Sequence, residues 1–319
     1  MQTFVDSETI LTLDLGGTKL LGIIMNRSAE IILRRQYSSP KGNEAVRDTI
    51  IDLLADMLAA ANALNIQPSG IAICAPGFID TQNGVIIDAE NLQIEKLSLT
   101  QPIINRFNLT TRLFHDVKCA TLGEALFGAG RGRRYFAFLN IGTGVSVGLY
   151  LDGKVYQGAA GKAGEIGHVA LRPVGPGNPC GLEERLEMLV SGPALAARAA
   201  KSLAQTSASL IHELAAQNAG QVTTHILHEA ALREDELAVQ LIAETADYLG
   251  LVVGGILDVL DLECVILGGG VAQMGDLLLA PLQASVARYA IVAAPIFAST
   301  LGGDAGAIGA AASYFCLGG

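Results

Sequence analysis

The sequence predicts an α/β protein built from two like domains that face each other across a cleft. Three observations carry this. Short apolar runs at residues 9–13, 135–141 and 264–267 each stop at a turn rich in glycine, which reads as a buried strand followed by a tight turn. Long stretches with apolar residues at helical spacing separate them. The two halves also open alike: Leu13-Asp14-Leu15-Gly16-Gly17-Thr18 in one and Leu139-Asn140-Ile141-Gly142-Thr143-Gly144 in the other. That likeness reads as an internal duplication.

Taken in order, residues 9–13 form a strand ending at Asp14. Residues 22–25 and 30–38 form two more, joined by a turn at Asn26-Arg27-Ser28. Residues 43–64 follow as a helix, because Val46, Ile50, Leu53, Leu54, Met57 and Leu58 share one face. Pro68 and Gly70 punctuate before a strand at 71–74 that ends on Pro76-Gly77. A helix near 99–107 leads to a strand at 111–114, which ends at His115-Asp116 before a helix beginning near Lys118. The second half starts with a strand at 135–141. A hairpin of 145–151 and 154–157 follows, turning at Asp152-Gly153. A long helix lies within 234–259, and a strand at 264–267 closes on Gly268-Gly269-Gly270.

Composition narrows the function. Half of the 319 residues are hydrophobic and 16% are charged, enough for two domains with real cores and too apolar for disorder. The formal net charge of −10 speaks against nucleic-acid binding, which needs a surplus of Lys and Arg on one face. The short basic run Arg131-Gly132-Arg133-Arg134 reads as a solvated turn. The chain shows no basic segment followed by an apolar run and no unbroken apolar stretch of ~20 residues, so neither signal peptide nor membrane span is expected. Cys74, Cys119, Cys180, Cys264 and Cys316 are scattered among apolar neighbours, as buried free thiols of a cytoplasmic protein.

Three segments carry candidate chemistry. Asp14-Leu15-Gly16-Gly17-Thr18-Lys19 joins an acid, a bare glycine turn and a base. Such a turn offers backbone N–H groups to a phosphate, and Asp14 can hold Mg²⁺ through water; an ordinary hairpin turn is the plain alternative. Asp116, at a strand end, is placed to accept a hydroxyl proton in phosphoryl transfer, and spacing alone suits a helix cap equally well. Gly164-Glu165-Ile166-Gly167-His168 sets a carboxylate and an imidazole three residues apart, suited to sugar hydroxyls or to a structural turn. Other patterns lead nowhere. Gly144-Val145-Ser146-Val147-Gly148 fits an esterase pattern that must bridge strand and helix, but strands continue past it. No GxxxxGK[ST] loop occurs. His225 and His228 lack a third ligand and read as a solvated helix face.

In order and spacing these motifs resemble the ROK family (repressor, open reading frame, kinase) of the actin/hexokinase/Hsp70 superfamily. The resemblance also rests on Ala75-Pro76-Gly77, Asn91-Leu92, Gly123-Glu124-Ala125 and Leu267-Gly268-Gly269-Gly270-Val271. It implies two RNase H-like (actin-like ATPase) domains flanking a cleft, residues 1–117 with 303–319 and residues 118–302, with a C-terminal helix from Asp304 returning to the first. It implies ATP-dependent phosphorylation of a hexose or N-acetylhexosamine, at the 6-hydroxyl, in a homodimer. Asp116 corresponds to the catalytic base. Gly77, Asn91, His115, Glu165, His168 and Glu187 correspond to the sugar site. Asp14, Gly16, Gly17, Thr18 and Lys19, with Thr143 and Gly144, correspond to the phosphate and Mg²⁺ elements, and Gly269 and Gly270 to the adenosine loop.

Two departures stand out. The family's structural zinc takes one His and three Cys, yet Asn178 and Arg185 occupy two of the cysteine positions, leaving His168 and Cys180. No structural zinc is expected, and Arg185 is left to pair with a nearby acid. His115 stands where the family usually has Asn, which puts a titratable group beside the base and makes glucose specificity unsafe to carry over. Val145-Ser146 and Lys118 also depart from the pattern. The competing readings are a non-catalytic sugar sensor, for which the early first strand leaves no room for a DNA-binding domain, and an ATPase chaperone.

Overall fold

The computed structural model describes residues 8–171, 184–204, 209–292 and 294–317. The chain forms two compact units, Met1–Gly132 with Gly303–Gly319, and Arg133–Gly302.

The first unit contains β1 (Thr9–Leu15), β2 (Lys19–Asn26), β3 (Ile31–Ser38), α1 (Asn43–Ala63), β4 (Ile71–Ala75), β5 (Phe78–Asp80), β6 (Val85–Ala89), β7 (Ile94–Ser98), α2 (Thr100–Phe107), β8 (Thr111–His115) and α3 (Asp116–Phe127). The second contains β9 (Phe136–Ile141), β10 (Val145–Leu151), β11 (Lys154–Val155), α4 (Glu187–Val190), α5 (Gly192–Leu203), α6 (Leu210–Gln217), α7 (Thr224–Leu232), α8 (Glu236–Leu260), β12 (Cys264–Gly268), α9 (Asp276–Tyr289) and β13 (Ile296–Ala298). The chain then returns to the first unit as α10 (Ala305–Leu317).

Each unit has a five-stranded sheet of one design. The orders are β3-β2-β1-β4-β8 and β11-β10-β9-β12-β13. In both, the first three strands run antiparallel as a meander and the last two join parallel to the first. The duplication read from the two glycine turns is therefore a duplication of topology. The central strands are buried along nearly their whole length because helices cover both faces. In the first sheet, Gly22 of β2 meets α1 so closely that a Cβ there would lie 2.3 Å from Met57 Sδ. The helix turns Val46, Ile50, Leu53, Leu54, Met57 and Ala61 inward, the face that its spacing announces. On α10, a Cβ at Gly309 would stand 1.6 Å from the carbonyl oxygen of Cys119, so α10 and α3 pack with their backbones nearly in contact.

The second core gathers β9, β10 and β12 with α5 to α9. Among the described residues, α8 alone is long and apolar enough to cross a membrane by composition, yet half of its most apolar window is buried. Asp235 caps it by accepting from the Ala238 N–H at 2.9 Å, and Ser285 of α9 fills the space beside Gly250. It is the core helix of this unit.

The structure departs from sequence expectation in four places. A small antiparallel sheet, β5-β6-β7, stands between β4 and α2 where no strands are expected. Its strands are three to five residues long and carry Asp and Glu on exposed positions, so no clear period shows. The helix α3 starts at Asp116 instead of near Lys118. The boundary expected after residue 117 falls inside α3, whereas contacts divide the chain at Gly132, because α3 packs on α10. Cys316 is exposed, unlike Cys74, Cys119 and Cys264. Cys180 and Asn178 lie outside the described residues.

Candidate active site

In the first unit the candidate residues collect at the carboxyl ends of β1, β4 and β8. Asp14 on β1 is in register with Cys74 on β4, whose thiol donates to Asp14 Oδ1 at 3.5 Å. Helix α10 begins against the same carboxylate: a Cβ on Gly306 would lie 2.5 Å from Asp14 Oδ2. Burial drives the Asp14 carboxyl up to about 7, and the charges of Asp116 and Asp304 push the same way. The Cys74 hydrogen bond and Lys19 only partly oppose them.

Asp116 opens α3 directly after β8. Its Oδ1 accepts from the Val117 N–H at 2.6 Å and lies 3.1 Å from His115 Nδ1, and the side chain keeps 25% of its surface exposed. Burial alone would raise this carboxyl. The close approach of the His115 imidazole, with the backbone N–H groups, outweighs it and holds Asp116 below the usual carboxylate range. Asp116 is the first residue of α3 and not its cap, which is His115 and makes no side-chain cap bond. Two neighbouring carboxylates with opposite shifts are the pattern by which acid and base roles are told apart.

The turn after β1 is tied down on its carbonyl side. The Gly16 carbonyl accepts from Ser39 Oγ at 2.6 Å, the Gly17 carbonyl from Lys41 Nζ at 3.1 Å, and the Thr18 carbonyl from the Ser39 N–H at 3.1 Å. Across a trans peptide the next N–H points the opposite way. The N–H groups of Gly17, Thr18 and Lys19 therefore point away from the donors that hold those carbonyls. Lys19 Nζ would stand 2.6 Å from a Cβ on Gly303, beside the start of α10. Lys41 Nζ also donates to the Asn91 carbonyl, linking this turn to the segment that holds Asn91. Gly77, at φ +89°, follows β4, and a Cβ there would meet the Asp88 carbonyl at 2.1 Å.

In the second unit, Glu165, His168 and Glu187 come together. Gly164, at φ +105°, passes so close to β10 that a Cβ would lie 1.9 Å from the Val147 carbonyl, and the Gly164 carbonyl accepts from the Val147 N–H at 2.9 Å. This holds the loop on the sheet. Glu187, opening α4, accepts the Val145 N–H at 2.8 Å and abuts Gly167. His168 Nε2 and Glu165 Oε2 are 3.9 Å apart. The same end of this sheet carries the other two turns: Gly142 donates to the Gly144 carbonyl at 2.9 Å, enclosing Thr143, and a Cβ on Gly142 would lie 4.0 Å from the Gly270 nitrogen. Gly269 sits at φ +91° against Ile141. Gly269 and Gly270 thus adjoin the Thr143-Gly144 turn.

Sequence reasoning missed Ser39, Lys41, Cys74 and Asp304 as parts of the first cluster. None stands in a motif, and only the sheet brings them to Asp14 and Gly16. It also expected Arg185 to find an acid; its guanidinium instead meets the imidazole of His168, Nη1 to Nδ1 at 2.8 Å. A zinc ion does not fit this donor set. The imidazole Nδ1 already faces the Arg185 guanidinium, and Arg185 itself stands on a position where the resemblance places a ligand.

Comparison with known proteins agrees along the whole chain. A glucokinase of Halalkalibacterium halodurans is 31% identical over 93% of this chain and 92% of its own. The bifunctional enzyme NanE/NanK of Brucella melitensis is 32% identical over 97% of this chain, which covers 55% of that longer protein. Among solved structures, a ROK family glucokinase from Streptomyces griseus, in complex with glucose and AMPPNP, superposes with a TM-score of 0.84 at 27% identity, covering 96% of this chain and 98% of that one. The profile of the ROK family matches residues 10–314, and with these sites in place the chain belongs to the ROK family.

Proposed function

We propose that this ROK-family sugar kinase transfers the terminal phosphoryl group of ATP to a hydroxyl of a hexose or N-acetylhexosamine, in the simplest case the 6-hydroxyl, with Asp116 as the base. One observation carries the assignment: Asp116 is held below the usual carboxylate range while its neighbour Asp14 is raised to about 7. Asp116 is thus ionised and ready to accept a proton at neutral pH. A carboxylate so acidic is a weak base, which suffices where the transition state is loose and the hydroxyl proton leaves late.

The raised Asp14 carboxyl is one that the chain leaves short of positive charge. An oxygen donor in that state fits Mg²⁺, held directly or through water, and Mg²⁺ when bound neutralises charge on the phosphates. The N–H groups of Gly17, Thr18 and Lys19, with the Lys19 ammonium, suit the phosphates, as do Thr143 and Gly144. Gly269 and Gly270 suit the adenosine, because neither carries a side chain to block a flat base. Glu165, Glu187 and His168 supply acceptors and a donor to sugar hydroxyls, with Gly77, Asn91 and His115 as further sugar contacts. Support for these substrates comes from the glucose and AMPPNP in the Streptomyces griseus complex and from the kinase half named in the Brucella enzyme.

The enzyme is read as cytoplasmic, zinc-free and homodimeric. Exposed Leu251 (42%) and Val259 (81%) on α8, with Val169 (44%) beside them, offer a second copy an apolar patch. Light scattering checks the dimer, and metal analysis of purified protein checks the zinc.

The test of function is an ATP-coupled screen of hexoses and N-acetylhexosamines. Turnover with at least one sugar is expected, and Asp116→Asn should lower kcat by ~10³-fold while sugar binding, followed by calorimetry, persists. Sugar binding without turnover in the unaltered protein would make it a sensor.

A further inference from the structure

We propose that Arg185 is a positioning residue for the sugar site, setting the tautomer of His168 through its guanidinium. The inference rests on the reading of Glu165 and His168 as sugar contacts.

The geometry is specific. Arg185 Nη1 lies 2.8 Å from His168 Nδ1. A guanidinium has donors only, so Nδ1 is the acceptor and the imidazole is neutral with its proton on Nε2. Nε2 is then a donor, and it faces Glu165 Oε2 at 3.9 Å. That separation is too long for a direct hydrogen bond, and it leaves room for one hydroxyl to accept from His168 and donate to Glu165. With the opposite tautomer Nε2 would be an acceptor, and the same hydroxyl would meet two acceptors with one proton.

Arg185 is itself held in place. Its backbone forms a bridge to Ala170, Leu186 N–H donates to the Val169 carbonyl at 2.9 Å, and Leu171 N–H donates to the Glu184 carbonyl at 3.0 Å. This short ladder joins the His168 loop to the start of α4, so Arg185, His168 and Glu187 move as one piece. The Arg185 Nε is buried without a hydrogen-bond partner among the described residues.

The test is a kinetic and spectroscopic set on the full-length enzyme: Arg185→Ala, Arg185→Lys, His168→Gln and the double variant Arg185→Ala/His168→Gln. Arg185→Ala should raise the sugar KM ~10-fold or more, as loss of an outer partner does elsewhere, with the ATP KM and the melting temperature nearly unchanged. Lysine, which keeps a cationic donor, should recover most of the loss. In the His168→Gln background, Arg185→Ala should add nothing. Nitrogen-15 histidine spectra should show His168, identified by its loss in His168→Gln, as the Nε2–H tautomer in the parent enzyme and as a mixture in Arg185→Ala.

A parent spectrum with the proton on Nδ1 overturns the proposal. So does an impaired His168→Gln beside an unimpaired Arg185→Ala. An unimpaired His168→Gln instead removes the sugar-site reading on which the proposal rests, which is a distinguishable result.

Discussion

The Nδ1 atom of His115 stands 3.1 Å from Oδ1 of Asp116, at the junction of β8 and α3. This contact is the largest influence lowering the Asp116 carboxyl against its own burial. Replacing His115 with Asn, the usual family residue, should therefore move the acid limb of the kcat profile to higher pH. The sign follows directly: with the lowering influence gone, burial prevails and Asp116 protonates at higher pH. The pH dependence of kcat at saturating ATP and sugar checks this; an unmoved acid limb would remove His115 from any role beside the base.

Asp14 should behave in the opposite sense. Its folded carboxyl lies at about 7, above the ordinary value of 3.8. Between those values the folded chain binds a proton that the unfolded chain releases, so its contribution to stability falls as pH rises through this window and is smallest above 7. Asp14→Asn should thus raise stability at pH 8 by up to ~4 kcal/mol and change little at pH 4. Thermal melts at the two values decide it. The same proton competes with Mg²⁺. Apparent ATP affinity should improve as pH rises toward 7, with an inflection that moves to lower pH as Mg²⁺ is increased.

Lys41 holds the carbonyls of Gly17 and Asn91 together. Lys41→Met keeps the aliphatic stem and removes the donor. It should raise the ATP KM ~5-fold, about the net value of a single ordinary hydrogen bond. The proposed role of the turn is to hold phosphates, so steady-state kinetics should show a smaller change for the sugar.

Two glycines set geometry in different ways. At Gly309 a Cβ would lie 1.6 Å from the Cys119 carbonyl, a backbone atom that cannot swing aside. Gly309→Ala should force α10 away from α3 and cost ~3 kcal/mol. Gly164 combines φ +105° with a Cβ 1.9 Å from the Val147 carbonyl. Gly164→Ala should displace Glu165 and His168 and raise the sugar KM together with a lower melting temperature. Denaturant unfolding and sugar titration separate the two effects.

Much of the fold was legible in the sequence. Strands β1, β4, β9 and β12 announced themselves because they are buried nearly throughout and so read as apolar runs, while β8 and β10 showed through the turns that bound them. Helices α1 and α8 did so through their spacing. The β5-β6-β7 sheet did not, since short strands with exposed acids leave no period to read. The start of α3 was misplaced because the carboxylate of Asp116 satisfies the N–H of its own neighbour, a contact that residue type alone does not distinguish from a free side chain.

By itself the sequence determined which groups are present and which backbone positions bear no side chain: Asp14 and Asp116 at strand ends, the Gly16-Gly17 turn, the Gly164 to His168 loop, and a duplicated order of strands. Tertiary structure alone decided what those groups do to one another. Asp14 and Asp116 are far apart along the chain, yet the parallel order β1-β4-β8 brings them close enough for one charge to raise the other. Arg185 pairs with His168 because a two-strand bridge runs the chain back past Ala170. A carboxylate's proton affinity and an imidazole's tautomer depend on burial and on the charges and donors around them. Those neighbours come from distant parts of the chain and exist only once it has folded.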